Sequence, residues 1–294
     1  MELPKYKLQF EVEIYLVVDK RKEIRLSENV TIILDKNKDA VLKGWIVIEV
    51  DTLDYGAARE RAISKVTEFI NTLLVAANLT SVKPTEFEDQ VILINSDKFQ
   101  ENKKTITITI KSGFCIVKDI HDQWLEDTVN LINKKNSLKR NQKLQIDTCL
   151  SLLRKAAESK LVERFIFNWI SLECLSGFLE TNVTSTEAMI NSSVNILKNE
   201  EAKNIFDKYE SLLDKLIKLN LIGRGNQNRS QDLEDAISNI GKNSDYKNVI
   251  MKAAMCIYEI RNNVFHKGIE TPHIQNSTGF LRDLIHAIIK SILL

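Results

Sequence analysis

Three polar side chains near the carboxyl end of the chain, Arg261, Asn262 and His266, have types and a spacing suited to handling phosphate. They lie just before Gly268 and Pro272, a pair typical of a helix end. Arginine supplies a permanent cation, asparagine a carboxamide, and histidine an imidazole that exchanges a proton near neutral pH. Together these groups can balance charge on a phosphoryl oxygen and move a proton beside it.

The helix predicted to carry these residues has one apolar face. At about 100° per residue, six residues share this face and must enter a core. They are Tyr246, Ile250, Ala253, Ile257, Ile260 and Val264. Asn262 and His266 lie roughly 160° from the centre of the face, and Arg261 borders it at roughly 60°. We therefore expect Asn262 and His266 to face solvent or a second protein surface.

The pattern Arg261-Asn262-x-x-x-His266 resembles the R-[polar]-x3-H signature of HEPN domains, helical modules of many prokaryotic endoribonucleases, toxins and antiviral effectors. A second stretch, residues 163–175, looks like the aromatic-rich helix of the Apea-like branch, which ends in a Leu-Glu-x-Leu run. The resemblance covers roughly residues 142–294 and implies an all-helical, HEPN-like bundle. Within the second stretch, Glu173 is a carboxylate among apolar residues, and Arg261 is its candidate partner.

The resemblance implies a metal-independent endoribonuclease without a cofactor, in a defence or toxin-like role. In that mechanism His266 transfers protons to and from the ribose 2′-hydroxyl and the leaving 5′-oxygen, Arg261 stabilises the phosphoryl charge, and Asn262 orients either residue. The products end in 2′,3′-cyclic phosphates. The expected partners are RNA, a second copy of the chain bound through the helical domain, and an antitoxin or effector.

Two other classes of function stay open at this point. The helical domain could bind RNA or a nucleotide without cutting it, as a sensor or scaffold. The chain could also be a purely structural interaction protein whose sheet half carries the function. The motif also has a purely structural explanation, because Arg261 and His266 can cap the last carbonyl groups of a helix.

Basic residues beside the motif are the candidates for binding RNA, since lysine and arginine contact phosphate irrespective of sequence. The predicted set is Lys134, Lys135, Lys139, Arg140, Lys143, Arg224, Arg229 and Lys267. The first five come from a cation-rich run at 134–143 that also suits a solvated linker between domains. Arg224 and Arg229 belong to a glycine-containing stretch that also suits a plain interhelical loop.

Composition describes an ordinary protein with one or two domains, 44% hydrophobic and 28% charged, with a net charge of +1. That charge excludes a globally basic nucleic-acid binder, so any RNA contact must be local. The four cysteines lack metal-ligand spacing, and we expect them to be reduced core residues. With no signal-peptide pattern and no apolar run of membrane-spanning length, the expectation is a cytoplasmic protein without a membrane segment.

A switch from alternating to helical periodicity near residue 120 predicts two domains. Residues 1–120 form an α+β domain, a mostly antiparallel sheet with one long helix over residues 55–78 and a clear strand at 105–117. Residues 121–143 form a helix and the basic linker, with Asp122 as helix cap beside His121. Residues 144–294 form the HEPN-like helical domain. Its helices are predicted at 143–158, 161–180, 186–198, 201–220, 231–241, 245–267 and 277–293.

Overall fold

The computed structural model describes residues 5–13, 18–36, 41–49, 55–78, 93–95, 106–109, 122–176, 178, 185–243, 245–267 and 273–294. The chain divides into two compact units, Met1–Ser137 and Leu138–Leu294. Each unit buries its own apolar core.

A mostly antiparallel sheet forms the centre of the first unit. The strands found in the described residues are β1 (Lys5–Glu13), β2 (Lys22–Ser27), β3 (Val30–Leu34), β4 (Val41–Glu49), β5 (Leu93–Asn95) and β6 (Ile106–Thr109). Their order is β2-β3-β4-β1-β5, and β6 pairs with β1 in the parallel direction. Tyr6, Leu8 and Phe10 are buried at every second position of β1, which confirms the predicted alternation. Of the strand predicted at 105–117, Ile106–Thr109 is observed and the rest lies outside the described residues.

Two helices complete the first unit, α1 (Tyr55–Ala76) and α2 (Asp122–Ser137). The long helix was predicted with the correct start, and it packs on β1, β4 and β5 as expected. Its apolar stripe is buried, with Phe69 and Leu73 fully enclosed. Helix α2 packs on α1 and β2, so it belongs to the sheet unit.

The basic segment at 134–143 is helical over most of its length. Residues 134–137 close α2, and α3 begins at Arg140, so Leu138 and Lys139 alone separate the two helices. The unit boundary also falls after Ser137. The predicted linker therefore shortens to two residues.

The described residues of the second unit form helices joined by short connections, with one isolated bridge between Ile222 and Asn228. Its helices are α3 (Arg140–Glu158), α4 (Leu161–Ser176), α5 (Thr186–Asn195), α6 (Asn199–Lys218), α7 (Arg229–Asn243), α8 (Tyr246–Lys267) and α9 (Ile274–Leu293). All seven were predicted, with shifts of a few residues at the ends. Helix α4 packs on α3, α5 and α9, and α8 packs on α5, α6 and α7.

Helices α6 and α9 are joined by a network of polar groups. Asp283 of α9 is buried and accepts hydrogen bonds from the Tyr209 hydroxyl at 2.8 Å and the Lys208 Nζ at 2.5 Å. Arg282 donates to the same carboxylate at 2.7 Å. Helix α6 departs from helical geometry at Tyr209 (φ −113°, ψ 16°), the residue that reaches this carboxylate. A charged network thus ties α9 to the kink of α6.

None of the helices in the described part of the chain has both the length and the apolar character needed to cross a membrane.

Candidate functional site

Helix α8 carries the predicted motif, and four of the six residues of its predicted apolar face are buried. Tyr246 and Val264, at the two ends of that face, are half-buried. Ile250, Ala253, Ile257 and Ile260 are at most 1% exposed. The helix continues through Arg261, Asn262 and on to Lys267, so the motif occupies its last two turns. Packing of this face against α5, α6 and α7 therefore sets the direction in which the motif points.

The side chain of Arg261 contacts two uncharged neighbours, Asn262 and Phe265. Its Nη1 donates to Asn262 Oδ1 at 3.3 Å, and its Cζ lies 4.4 Å from the ring centroid of Phe265. Its Nε is buried and has no hydrogen-bond partner. No carboxylate among the described residues forms an ion pair with it. The guanidinium is therefore oriented by an amide and an aromatic ring while its charge stays uncompensated within this part of the chain.

Asn262 lies between a cation and an acid. Its Nδ2 donates to Glu259 Oε2 at 3.4 Å, and its Oδ1 accepts from Arg261. The residue is half-buried, and Glu259 is close to the loop between α6 and α7. This face of α8 was expected to meet solvent or a second protein. At Glu259 it instead meets the chain's own loop between α6 and α7.

The side chains of His266 and Lys267 lie outside the described part of the structure. Their backbone is within α8. Position 266 follows position 262 by four residues and position 259 by seven, so helical geometry places all three positions on one face. The roles predicted for the His266 and Lys267 side chains remain predictions.

The aromatic-rich helix predicted at 163–175 is α4, and it packs near the middle of α8. Phe165 and Trp169 are completely buried, as the packing interpretation requires. The Trp169 ring lies 5.4 Å from that of Tyr258 on α8. Glu173 accepts a 2.7 Å hydrogen bond from Trp169 Nε1 and forms no ion pair with Arg261. The predicted contact between Glu173 and Arg261 is thus wrong, because an indole one turn away satisfies the carboxylate.

Four of the eight residues predicted to bind RNA are exposed, namely Lys134, Lys139, Arg140 and Arg224. Lys143 is half-buried, and the side chain of Lys267 lies outside the described residues. The exposed four are placed where a cation can reach phosphate in solution.

Two predicted RNA-binding residues are buried, which corrects their assignment. Lys135 is 2% exposed and pairs with Glu68 of α1 at 2.7 Å. Arg229 is 7% exposed and lies beside the carboxylates of Glu187, Asp232 and Glu259, at 3.3 Å, 3.9 Å and 3.9 Å. Each cation is already compensated inside its unit, so neither is available to phosphate.

A cleft of about 850 Å³ lies between β2 and α2 in the first unit. Cations and acids line it together, among them Lys20, Arg25 and Glu126. Asp122, predicted as a helix cap, forms an ion pair with Lys22 at this cleft. His121, beside it, lies outside the described residues. The mixed charges give the cleft no preference for an anion such as RNA.

Cysteines in the described residues are free thiols placed as expected for core residues. Cys149 and Cys256 are buried, and Cys174 is half-buried. Burial raises the pKa of the Cys149 thiol well above its ordinary value and that of Cys256 to about 12. Such thiols stay protonated and unreactive near neutral pH. Cys115 lies outside the described residues.

Two residues around the motif, Glu259 and Phe265, were not among those predicted from the sequence. Glu259 contacts Asn262, while Phe265 is 47% exposed and stacks on Arg261. Their spacing was a usable signal, because positions three and four apart on a helix are neighbours. Glu259 precedes Asn262 by three residues, and Phe265 follows Arg261 by four.

Comparisons with protein-family models, with curated proteins and with solved structures find no match to this chain.

Proposed function

We propose that the protein is a metal-independent endoribonuclease of the HEPN type, acting in defence or as a toxin. The observation that supports this most is the state of Arg261. A cation held by Asn262 and Phe265, with no carboxylate partner in the described residues, is suited to receive a phosphate. The HEPN resemblance supplies the reaction, since it pairs this arginine with His266.

The proposed reaction is an internal transfer at one phosphodiester. The ribose 2′-oxygen attacks phosphorus, and the bond from phosphorus to the 5′-oxygen breaks. His266 takes the proton of the 2′-hydroxyl and returns one to the 5′-oxygen, while Arg261 stabilises the negative charge on the phosphoryl oxygens. The products are a 2′,3′-cyclic phosphate and a 5′-hydroxyl. Asn262 orients the guanidinium through its Oδ1.

The first test uses purified protein and end-labelled RNA in excess chelator. We expect cleavage, with ends that behave as cyclic phosphates. His266→Ala should abolish cleavage, and Arg261→Ala should lose most of it, because no neighbour supplies either role. His273→Ala is the matched control, since this histidine lies at the start of α9 and outside the motif. Cleavage by His266→Ala at the wild-type rate would refute the assignment.

The second candidate function is binding of RNA or a nucleotide without cleavage. The exposed Phe265 favours it, because an aromatic ring beside a cation can stack a base without any proton transfer. A wild-type protein that binds RNA and leaves it intact in the same assay would select this function.

A further inference from the structure

Glu259 lies on the same face of α8 as Asn262 and position 266, and it determines how the Asn262 amide is turned. Glu259 Oε2 accepts from Asn262 Nδ2 at 3.4 Å, and Asn262 Oδ1 accepts from Arg261 Nη1 at 3.3 Å. A carboxylate accepts hydrogen bonds and cannot donate them, so it selects the amide orientation that directs nitrogen towards Glu259. The amide oxygen is then directed at the arginine.

Glu259 is itself held by the buried Arg229. The Arg229 Nε lies 3.9 Å from Glu259 Oε1, and the two side chains are 8% and 12% exposed. That Nε is buried and has no hydrogen-bond partner, so its charge interaction with Glu259 is what stabilises it there. Glu187 Oε2 and Asp232 Oδ2 lie 3.3 Å and 3.9 Å from Nη1 of the same guanidinium. Arg229 is therefore fixed from several directions and can anchor Glu259.

The loop between α6 and α7 encloses this pair. It forms a hairpin in which Arg229 N donates to Leu221 O at 2.9 Å and Gly223 N donates to Gln227 O at 2.8 Å. A Cβ on Gly223 would lie 2.8 Å from Glu259 Oε1 and 2.9 Å from Arg229 Nε. Any larger residue at position 223 must displace the pair, so glycine permits the close approach of the loop.

We propose that Glu259 is a positioning residue of the ribonuclease site, which acts through Asn262 on Arg261 and is held by Arg229 and the 221–229 hairpin. The proposal rests on the proposed function, because it assigns Glu259 to that reaction. Loss of the carboxylate lets the Asn262 amide turn and moves the Arg261 guanidinium away from the phosphoryl oxygens. Arginine-mediated charge stabilisation depends on such placement.

The test is a double-mutant cycle on cleavage with Glu259→Gln and Asn262→Ala. Each single variant should lower kcat about 10- to 100-fold with little change in KM, the size expected for a displaced catalytic group. The double variant should be no slower than the slower single variant, because Glu259 acts through Asn262. Gly223→Ala should lower kcat in the same way, since its Cβ displaces the pair.

Asp207→Asn is the matched control, an acid-to-amide change in the exposed pair of Lys203 and Asp207 on α6. It should leave kcat unchanged. Thermal unfolding of every variant separates a positioning role from lost stability. Wild-type kcat in Glu259→Gln, or effects that multiply in the double variant, would overturn the proposal.

A readout independent of cleavage is the side-chain amide resonance of Asn262 in ¹⁵N-labelled protein, assigned by its loss in Asn262→Ala. Glu259→Gln should shift it, and an unmoved resonance would overturn the proposal even if the enzyme is active. Wild-type protein that cuts no RNA refutes the proposed function instead. The same double-mutant cycle is then measured on the dissociation constant for RNA. If the effects of Glu259→Gln and Asn262→Ala on that constant multiply in the double variant, Glu259 does not act through Asn262.

Discussion

Two arginines, Arg229 and Arg261, show how the neighbours of a side chain decide its role. Arg229 is buried beside three carboxylates, so its charge is balanced within the fold. Arg261 contacts an amide and an aromatic ring and has no carboxylate partner in the described residues. A balanced arginine contributes to structure, whereas an unbalanced one attracts an anion. Arg261 is therefore the residue on which the functional proposal depends.

Lys134 and Lys135 are adjacent in sequence and give a matched test of the basic segment. Lys134 is exposed, while Lys135 is buried against Glu68. We expect Lys135→Ala to destabilise the protein by about 2 kcal/mol, because Glu68 loses one of two charged hydrogen-bond donors and keeps Lys65, at 2.6 Å. Lys134→Ala should change stability by about 0.5 kcal/mol or less. Urea unfolding compares the two variants, and equal stability losses would contradict the burial argument.

Lys134, the exposed lysine of this pair, is also predicted to bind RNA. Lys134→Ala should weaken RNA binding and reduce its dependence on salt, since an exposed lysine that contacts phosphate releases a counterion. The dissociation constant measured at several salt concentrations checks this. An unchanged salt dependence would remove Lys134 from the RNA-binding set.

Phe265 is expected to stack a base of single-stranded RNA. It is 47% exposed beside Arg261, and stacking on an aromatic ring contributes about 1–3 kcal/mol per base. Phe265→Ala should therefore weaken RNA binding at least about fivefold, while Phe265→Trp should retain it. Leu144→Ala, at a 65% exposed apolar residue on α3, is the control. A Phe265→Ala protein with wild-type affinity for RNA would contradict the stacking role.

At the scale of elements, α9 carries a buried histidine that should make stability depend on pH. His286 is 4% exposed, and burial, with Arg282 next in importance, lowers its pKa from 6.5 to about 3. Lys208 and Lys290 act in the same direction and Asp283 opposes them. The unfolded chain therefore binds a proton below about pH 6.5 that the folded chain does not bind until about pH 3.

We expect the free energy of unfolding to fall as the pH falls from about 6.5, before most carboxylates titrate. His286→Leu should make the free energy of unfolding depend less steeply on pH, because the group that takes up the proton in the unfolded chain is gone. His273→Leu, in a half-buried position at the start of α9, should retain the slope. Urea unfolding between about pH 7 and 5 measures both variants. Identical slopes in wild type and His286→Leu would refute the argument.

At the scale of the whole molecule, we predict a two-fold homodimer through the helical unit. A two-fold axis would bring two copies of the motif into one cleft, where each site uses charge from its mate. Light scattering at micromolar concentration should give the dimer mass. A monomer mass with activity intact would refute the dimer.

Mixing inactive variants tests whether the two copies share a site. Arg261→Ala and His266→Ala proteins should each fail to cut RNA alone. If Arg261 of one copy serves His266 of the other, mixed dimers contain one complete site, and mixing restores part of the activity. No restoration after exchange of subunits would show that each chain carries its own site.

The sequence by itself determined the helices of the second unit and the long helix of the first. Seven helices of the second unit and the long helix α1 were predicted from apolar spacing, because periodicity records which side of an element is buried. The same reasoning placed Arg261 and Asn262 on the last turns of α8 and put Ile257 and Ile260 in the core. These properties depend on the order of residues within one helix, so they can be derived without knowing which other elements it packs against.

Only the tertiary structure decided which charges are compensated. Nothing near Lys135 in sequence indicates that it packs on Glu68, and Arg229 meets Glu187 across 42 residues. The unit boundary after Ser137 depends likewise on α2 packing against α1 and β2. Ion pairing and burial depend on which elements meet in space, and periodicity within one element does not carry that information. The Arg229 and Glu259 pair beside Asn262 is the part of the candidate site that folding alone assembled.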